Sequence, residues 1–377
     1  HIHTPLLLTT NYLRYKLKRK FVMKITIDKS VLENILLHLQ PFLEKKDTSQ
    51  ITSHILLSTD GRILNARATD YEIGLTIQTT ALTITEPGSV TASGKKLLDI
   101  IRILKDEEVE IELIKENLHI RQKRSNFKLP TYKSSEFPQF PTTDDKPKIE
   151  INSQILIESL KKITPATDTN NPKFELNGAL IDIKNNQINF VSTDTRRLAL
   201  VHIDSQNDHE LSIIVPKKAI VEIQKLFSNN IEIYYDNTHL IIKSEDSLFY
   251  TKLINGKFPD YTRIIPKESS RSITLPKVTI ITAIKQITTI SNDLKLTFQN
   301  DLILFESLSD DNIEAKTAVE IENGFDSPFI LAINSRYILD FLGQINGNEF
   351  TLEANESNQP FVIKEGNFKT IVMPIVI

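Results

Sequence analysis

Eight histidines, His1, His3, His38, His54, His119, His202, His209 and His239, are the side chains best suited to proton transfer or metal binding near neutral pH. None forms the H-x-x-x-H pair that sets two imidazoles on one helix face, so they read as surface or satisfied core residues. Adjacent acids at Asp144 and Asp145, at Asp310 and Asp311, and across Asp106–Glu108 could work as acid and base, but they stand in polar, loop-like stretches and read as turns. No serine has the glycine-flanked setting of a nucleophile elbow. The chain has no Cys, which removes thiolate nucleophiles, thiolate zinc sites and disulfides and fits a reducing compartment. Its ten glycines include no G-x-G, so no phosphate-cradling loop can be written. The expectation is no catalytic residue, no metal and no cofactor; catalysis assembled from residues far apart in the chain is the one enzymatic reading left open.

The chemistry that remains is charge, and its placement depends on the elements that carry it. Two apolar residues at i−2 and i, as on one strand face, followed by apolar residues at i+5, i+9 and i+12, as on one helix stripe, describe a strand running into a helix. The pattern fits Ile25, Ile27, Leu32, Leu36, Leu39 and Val90, Ala92, Leu97, Ile101, Leu104. It fits again at Ile149, Ile151, Leu156, Leu160, Ile163 and, with Gln224 as its one miss, at Ile213, Val215, Ile220, Phe227. The last copies are Ile273, Leu275, Ile280, Ile284, Ile287 and Leu331, Ile333, Ile338, Leu342, Ile345. That is 29 of 30 positions, against about 12 expected from a 40% hydrophobic chain. Copies one, three and five begin 124 residues apart, at Ile25, Ile149 and Ile273.

The sequence therefore predicts an α+β protein of three similar tandem domains, each of two strand-helix-strands halves, over 23–145, 146–268 and 269–377. Alternating stretches such as Val109–Leu113, Leu118–Arg121, Ile231–Tyr235, Leu240–Lys243 and Phe361–Lys364 supply antiparallel strands. The Pro- and Lys-containing segments Thr142–Lys148 and Pro266–Arg271 read as linkers.

Formal net charge is −3, yet the thirteen residues after each repeat anchor hold 13 Lys or Arg and 6 Asp or Glu. Helices that are cationic in an otherwise acidic chain point to one shared surface facing a polyanion. The strongest contributors are Lys95, Lys96, Arg102, Lys105, Lys161, Lys162, Lys217, Lys218, Lys225, Lys277 and Lys285. Any one of them is ordinarily a solvated helix residue; only the pooled asymmetry points to function. Aromatics are not interleaved with these charges, which leaves duplex phosphate contact without base reading.

Before Met23 the one apolar run, Leu6–Leu8, is far shorter than the ~7–15 residues of a signal h-region, and the basic cluster Arg14, Lys16, Lys18, Arg19, Lys20 lies on its wrong side. No stretch approaches the ~18 apolar residues of a membrane span. The expectation is a cytoplasmic, nucleoid-associated protein with no membrane contact, its fold opening at Met23 and residues 1–22 forming a disordered extension; a DNA-binding basic arm is the competing reading of that segment.

Four phrases on this repeat scaffold carry a resemblance: Met23-Lys24-Ile25, Thr193-Asp194-Thr195-Arg196-Arg197-Leu198-Ala199, Phe258-Pro259-Asp260-Tyr261 and Val372-Met373-Pro374. In that order they resemble the bacterial sliding clamp family, the β subunits of DNA polymerase III, over Met23–Ile377. The resemblance implies a head-to-tail homodimeric ring of six domains, helices lining the hole and antiparallel sheets outside, that encircles double-stranded DNA without sequence preference as a processivity factor. It implies a hydrophobic pocket for short Gln-containing peptides of the polymerase III catalytic subunit, the clamp loader and other clamp-binding proteins. The matching positions are Leu176, Thr193, Arg197, Leu198, Pro259, Arg263, Ile264, Asn334, Tyr337, Val372, Met373, Pro374 and Ile375. Apolar members would seat the peptide's anchors, while Arg197, Asn334 and Tyr337 would bond its backbone or Gln.

For DNA the resemblance points to Lys45, Lys46, Asn170, Lys173, Phe174, Lys217 and Lys218, beside Lys95 and Lys96 from the charge pattern. For the ring joint it points to Phe127 and Leu129 against Thr289 and Ile290. Arg196 stands where many relatives carry His, the chain ends Ile375-Val376-Ile377 without a basic residue, and the loop around Asp293–Lys295 reads as shortened, which implies the same site with altered peptide preference. The competing class is a repeat-built protein-interaction scaffold that never touches DNA; neutralising Lys95, Lys96, Lys217 and Lys218 separates the two.

Overall fold

The structure is a computed structural model and describes residues 22–206, 209–309 and 312–377. The expected extension, save Val22, and the acid pair Asp310–Asp311 lie outside the described residues. Of the 29 apolar residues that fit the repeat, 28 are buried and Ile151 is half-buried. Each buried Leu or Ile stabilises the fold by roughly 1.5–3 kcal/mol relative to exposure, which is why the spacing dictates the elements.

Among the described residues six α-helices follow: α1 (Lys29–Leu39), α2 (Gly94–Ile103), α3 (Ser153–Ile163), α4 (Lys217–Leu226), α5 (Lys277–Thr288) and α6 (Ser335–Leu342). Five of them continue directly from a strand: β1 (Met23–Asp28), β6 (Ser89–Ser93), β13 (Leu211–Pro216), β17 (Arg271–Pro276) and β21 (Phe329–Asn334). The third copy departs from the expected strand. There Pro147 and Ile149 bond to Tyr235 and Ile233, with a single bridge at Lys148, and the chain then leaves to start α3 on the cap of Asn152, whose Oδ1 accepts from the Ile155 amide at 3.1 Å. Proline has no amide to extend such a ladder. Ser93 and Asn334 cap α2 and α6 in the same way as Asn152. The helices pack in pairs, α1 on α2, α3 on α4 and α5 on α6.

The chain forms two compact units, one reaching through Ile149 and including Asn230–Lys252, the other comprising Glu150–Asn229 and Leu253–Ile377. In the first, a five-stranded sheet has the order β5 (Leu82–Glu86), β1, β7 (Glu108–Ile114), β8 (Asn117–Gln122), β9 (Ser125–Pro130). Its seven-stranded sheet runs β14 (Glu232–Tyr235), β15 (His239–Lys243), β16 (Ser247–Lys252), β4 (Ile73–Thr79), β3 (Ile63–Thr69), β2 (His54–Asp60), β6, with Phe249 of β16 opposite Leu75 of β4.

In the second unit an eight-stranded sheet runs β13, β10 (Gly178–Lys184), β11 (Gln187–Thr193), β12 (Arg197–Asp204), β24 (Phe368–Val372), β23 (Phe361–Glu365), β22 (Glu349–Ala354), β17. Leu198 of β12 faces Ile371 of β24 across the join. A four-stranded sheet, β20 (Lys316–Glu320), β19 (Leu302–Ser307), β18 (Asp293–Gln299), β21, completes it. Pairing strands from distant repeats covers edges that would otherwise invite aggregation. Asp293–Lys295 corrects the reading of a shortened loop: these residues open β18, with Asp293 opposite Asn334. No helix among the described residues is long and apolar enough to cross a membrane.

Candidate functional site

The Thr193–Arg197 phrase is a turn before it is anything else. Thr193 Oγ1 donates to the Arg197 carbonyl at 2.6 Å and accepts from the Thr195 amide at 3.1 Å. Asp194 Oδ1 accepts from the amides of Arg196 and Arg197 at 3.0 and 3.1 Å. These bonds hold Thr195 at φ +77°, a left-handed conformation that a threonine avoids unless its surroundings fix it. The same turn recurs 124 residues earlier: Thr69 donates to the Ile73 carbonyl, Asp70 Oδ1 accepts from Glu72 and Ile73, and Tyr71 sits at φ +75°. The Thr and Asp are shared while the last three residues differ, and the last is Ile73 in one copy and Arg197 in the other.

Arg197 is held on several sides by groups of its own chain. Its side chain is 1% exposed and every nitrogen of the guanidinium is engaged: Nε donates to Asp194 Oδ2 at 3.1 Å, Nη1 to Asp340 Oδ2, and Nη2 to the Pro165 carbonyl at 2.7 Å. Its central carbon lies 4.8 Å from the centre of the Tyr337 ring. A cation this buried requires such partners. The Tyr337 ring is stacked against it. Asp194, Asp340 and Pro165 are thus functional neighbours that the sequence reading missed. The 124-residue recurrence of the Thr-Asp turn could have singled out Asp194; nothing in the sequence announces the other two.

Apolar members surround this arginine. Val372 faces it across the β12–β24 ladder, the Met373 amide donates to the Arg196 carbonyl at 2.9 Å, and the Ile375 amide to the Ala332 carbonyl at 2.7 Å. The C-terminal segment is thereby pinned between β12 and β21, close in sequence to Asn334, whose Oδ1 caps α6 by accepting from the Arg336 amide at 2.9 Å. Leu198 is buried in one cluster with Leu180, Phe258, Tyr261 and Ile371. Tyr261 donates to Asp182 at 2.6 Å and accepts from Asn189 Nδ2 at 3.1 Å, and burial together with that carboxylate pushes its hydroxyl well above the ordinary tyrosine value. The Phe258–Tyr261 phrase is anchored by these contacts. It leaves Arg263 exposed beside Asp260 and Ile264 40% exposed, while Met373 is 42% exposed. Leu176 is buried within the short helical turn Phe174–Asn177. Leu198 and Ile371, directly opposite on the ladder, are buried on one face of the sheet and Val372 beside Arg197 on the other, while Ile264, Met373 and Tyr337 keep apolar surface available.

The cationic candidates occupy loops and helix starts. Lys95 and Lys96 are exposed in the first turn of α2, and Lys217 and Lys218 open α4; neither first turn holds an acid. Lysine beside the amide end of a helix is unfavourable by roughly 0.3–1 kcal/mol, because the helix dipole is already positive there. Two lysine pairs held at such ends form a field that an incoming anion relieves. Lys217 Nζ donates to Thr169 Oγ1 at 3.3 Å, which ties α4 to the loop Asp168–Asn177. That loop is closed by paired amides: the Asn171 amide donates to Asn177 Oδ1 at 2.7 Å and Asn177 Nδ2 returns to the Asn171 carbonyl at 2.9 Å. The Asn171 side chain also holds the Asp168 carboxyl below the usual carboxylate range. The loop presents Asn170, Lys173 and Phe174, the last 75% exposed. Lys45 and Lys46 are exposed after the turn Gln40–Phe42. Of the helix lysines counted as surface charge, Lys277 is engaged internally, donating to the Ile345 carbonyl at 2.8 Å.

The joint candidates fall at sheet ends. Phe127 and Leu129 are on β9, the edge of the five-stranded sheet, and Thr289 and Ile290 directly follow α5, with Ile290 41% exposed. Among the described residues no group of His, Asp and Glu is placed to hold a metal ion.

Family models of the DNA polymerase III beta subunit match the chain in three parts: the N-terminal domain over residues 23–141, the central domain over 150–260 and the C-terminal domain over 262–376. The beta sliding clamp of Helicobacter pylori strain J99 is 38% identical over 374 residues, which cover 94% of this chain and all of that protein. The beta sliding clamp of Caulobacter vibrioides is 29% identical with the same coverage. Among solved structures, the Helicobacter pylori beta clamp bound to a DNA ligase peptide superposes with a TM-score of 0.88 at 40% identity, covering 94% of this chain and 100% of that one. The Pseudomonas aeruginosa clamp bound to griselimycin gives 0.88 at 25% identity, with the same coverage.

Proposed function

The chain belongs to the DNA polymerase III beta subunit family, the beta sliding clamps, and from that membership we propose that two copies close head to tail into a ring around duplex DNA and tether replication proteins to it. As a beta sliding clamp it is a non-catalytic processivity subunit of DNA replication. The observation that carries the DNA side of the proposal is the two lysine pairs at the amide ends of α2 and α4, with no acid in either first turn. Their contacts would be to phosphate and so indifferent to sequence and exchangeable, which lets a closed ring slide while topology keeps it bound. Edge strand β9, carrying Phe127 and Leu129, would meet the partner copy near Thr289 and Ile290.

On the protein side, buried Leu198, the wall of Tyr337 and the exposed Ile264 and Met373 would make a groove for a short hydrophobic peptide. The Helicobacter pylori relative holds a DNA ligase peptide, and we extend that class of ligand to this groove, with the polymerase catalytic subunit and the clamp loader as further peptide donors. Asn334 Nδ2 and the Tyr337 hydroxyl are the groups available to bond the peptide's Gln or backbone; Arg197 supports Tyr337 from behind. Such a protein works in the bacterial cytoplasm.

The test is retention. Loaded onto nicked circular duplex by a clamp loader, the protein should co-elute with the circle and be lost within minutes of linearisation. Retention indifferent to DNA ends would overturn encirclement.

A further inference from the structure

We infer that Asp340 is the positioning residue of the peptide groove: through the buried guanidinium of Arg197 it fixes the Tyr337 ring that forms the groove's wall. The inference rests on the reading of the groove as a peptide site and assigns a group that the family resemblance does not include. Tyr337 and Asp340 lie three residues apart on α6, hence on one helix face, and both meet the same guanidinium, the ring at 4.8 Å from its central carbon and the carboxylate at Nη1. A single side chain from β12 is therefore held by α6 at two points, which sets the rotation of the ring as well as its distance.

The two acids on Arg197 are not equivalent. Asp194 is also the keystone of its own turn, accepting from two backbone amides, so its removal would disturb the β11–β12 hairpin. Asp340 makes no such backbone bond; its other neighbour is Arg336, at 4.0 Å on the helix surface. Its side chain is 32% exposed, whereas that of Arg197 is 1% exposed. The carboxylate thus reaches in from the rim to a cation with no access to water, and its loss is felt at the guanidinium more than in the helix. Behind the pair lies a small cavity lined by Lys162, Pro165, Ala166, Phe341, Phe368 and Thr370. Once Nη1 is released, the guanidinium and the ring stacked on it lose one of the two points at which α6 holds them, and a peptide must then order them on binding. Ordering a side chain of that size weakens binding by about three- to tenfold.

The experiment measures affinity for a fluorescein-labelled synthetic copy of the ligase peptide that occupies the Helicobacter pylori clamp, on the full-length protein. Asp340→Asn should weaken binding by about three- to tenfold, Asp340→Glu should restore at least half of the lost affinity, and thermal midpoint and particle mass should stay at native values. A double-mutant cycle separates positioning from a general structural effect. In a Tyr337→Ala background the Asp340→Asn change should have no further effect, because the ring through which it acts is gone. Equal affinity of the native protein and Asp340→Asn would overturn the inference, as would an undiminished loss in the Tyr337→Ala background or a loss tracking a lowered thermal midpoint. A native protein that does not bind the peptide at all would instead overturn the reading of the groove.

Discussion

Single side chains here divide into those whose role follows from type and those whose role follows from partners that only the fold supplies. Arg197 is of the second kind: its acceptors at Asp340 and Pro165 stand 143 and 32 residues away, so no local pattern could show that the guanidinium faces inward. His54 is another. Among eight scattered histidines it has no distinguishing neighbour in sequence, yet it is 6% exposed, 4.4 Å from the Tyr132 ring, with Nδ1 3.1 Å from Thr91 Oγ1. That hydroxyl gives its one proton to the Tyr132 carbonyl, so the imidazole must donate from Nδ1. Burial, reinforced by the charge of Lys96, lowers its pKa from 6.5 to about 4. The unfolded chain therefore takes up a proton between pH 6.5 and 4 that the folded chain refuses, and stability is lost as pH falls through that window and levels off below it. The difference is on the order of 3 kcal/mol. His54→Gln, which keeps a donor toward Thr91, should flatten the drop in urea midpoint between pH 7 and 4.5; an unchanged drop would mean that other groups cause it.

Elements were more legible than single residues, because burial is periodic and partner choice is not. The apolar stripe spaced by four and three placed the six α-helices of the described residues, and 28 of the 29 apolar positions of the full strand-and-helix pattern are buried. The one strand that failed, at Ile149–Ile151, follows Pro147, and hydrophobic spacing is blind to a missing amide. Polar details that repeat are legible once the period is known. Lys29 and Lys277 occupy the same place in the first and third repeats, 248 residues apart, with Ser153 midway between them. Lys29 Nζ donates to the carbonyls of Arg102 and Leu104 at 3.0 and 2.7 Å, and Lys277 Nζ to that of Ile345 at 2.8 Å. Lys29 therefore satisfies the carbonyl end of α2, and Lys277 a carbonyl three residues past the end of α6, both near helix ends where the dipole favours a cation. Counting Lys277 as free surface charge was an error of that kind: a lysine that opens one helix can serve the close of its partner. Lys277→Met keeps the stem and removes the donor, and should destabilise the α5–α6 pair by about 1–2 kcal/mol. Hydrogen exchange should report it as faster exchange in the last turn of α6, with the α1–α2 pair unaffected; uniform protection in both pairs would contradict the capping role.

At the scale of the molecule, two terms hold a clamp on DNA and they respond to different residues. On the function proposed above, ionic contact depends on lysines such as Lys95, Lys96, Lys217 and Lys218, and its strength falls with salt by about 0.9 in the slope of log K against log salt for each phosphate neutralised. Topological hold depends on closure of the ring, hence on joint residues such as Ile290, and is indifferent to salt so long as the circle and the ring stay intact. Changing the four lysines to Gln should reduce the salt slope on short linear duplex by up to about 3.6 per subunit and slow loading. Rings already loaded on nicked circles should keep their native lifetime at any salt that leaves the dimer whole. Ile290→Lys should do the reverse: a charge placed where the partner copy docks opens the ring, halves the particle mass and abolishes retention on circles. Its salt slope on short linear duplex should then match that of the native protein taken as separate subunits. If the lysine variant lost circles at the same rate as the joint variant, the hold would be ionic throughout, and encirclement would not describe how this chain stays on DNA.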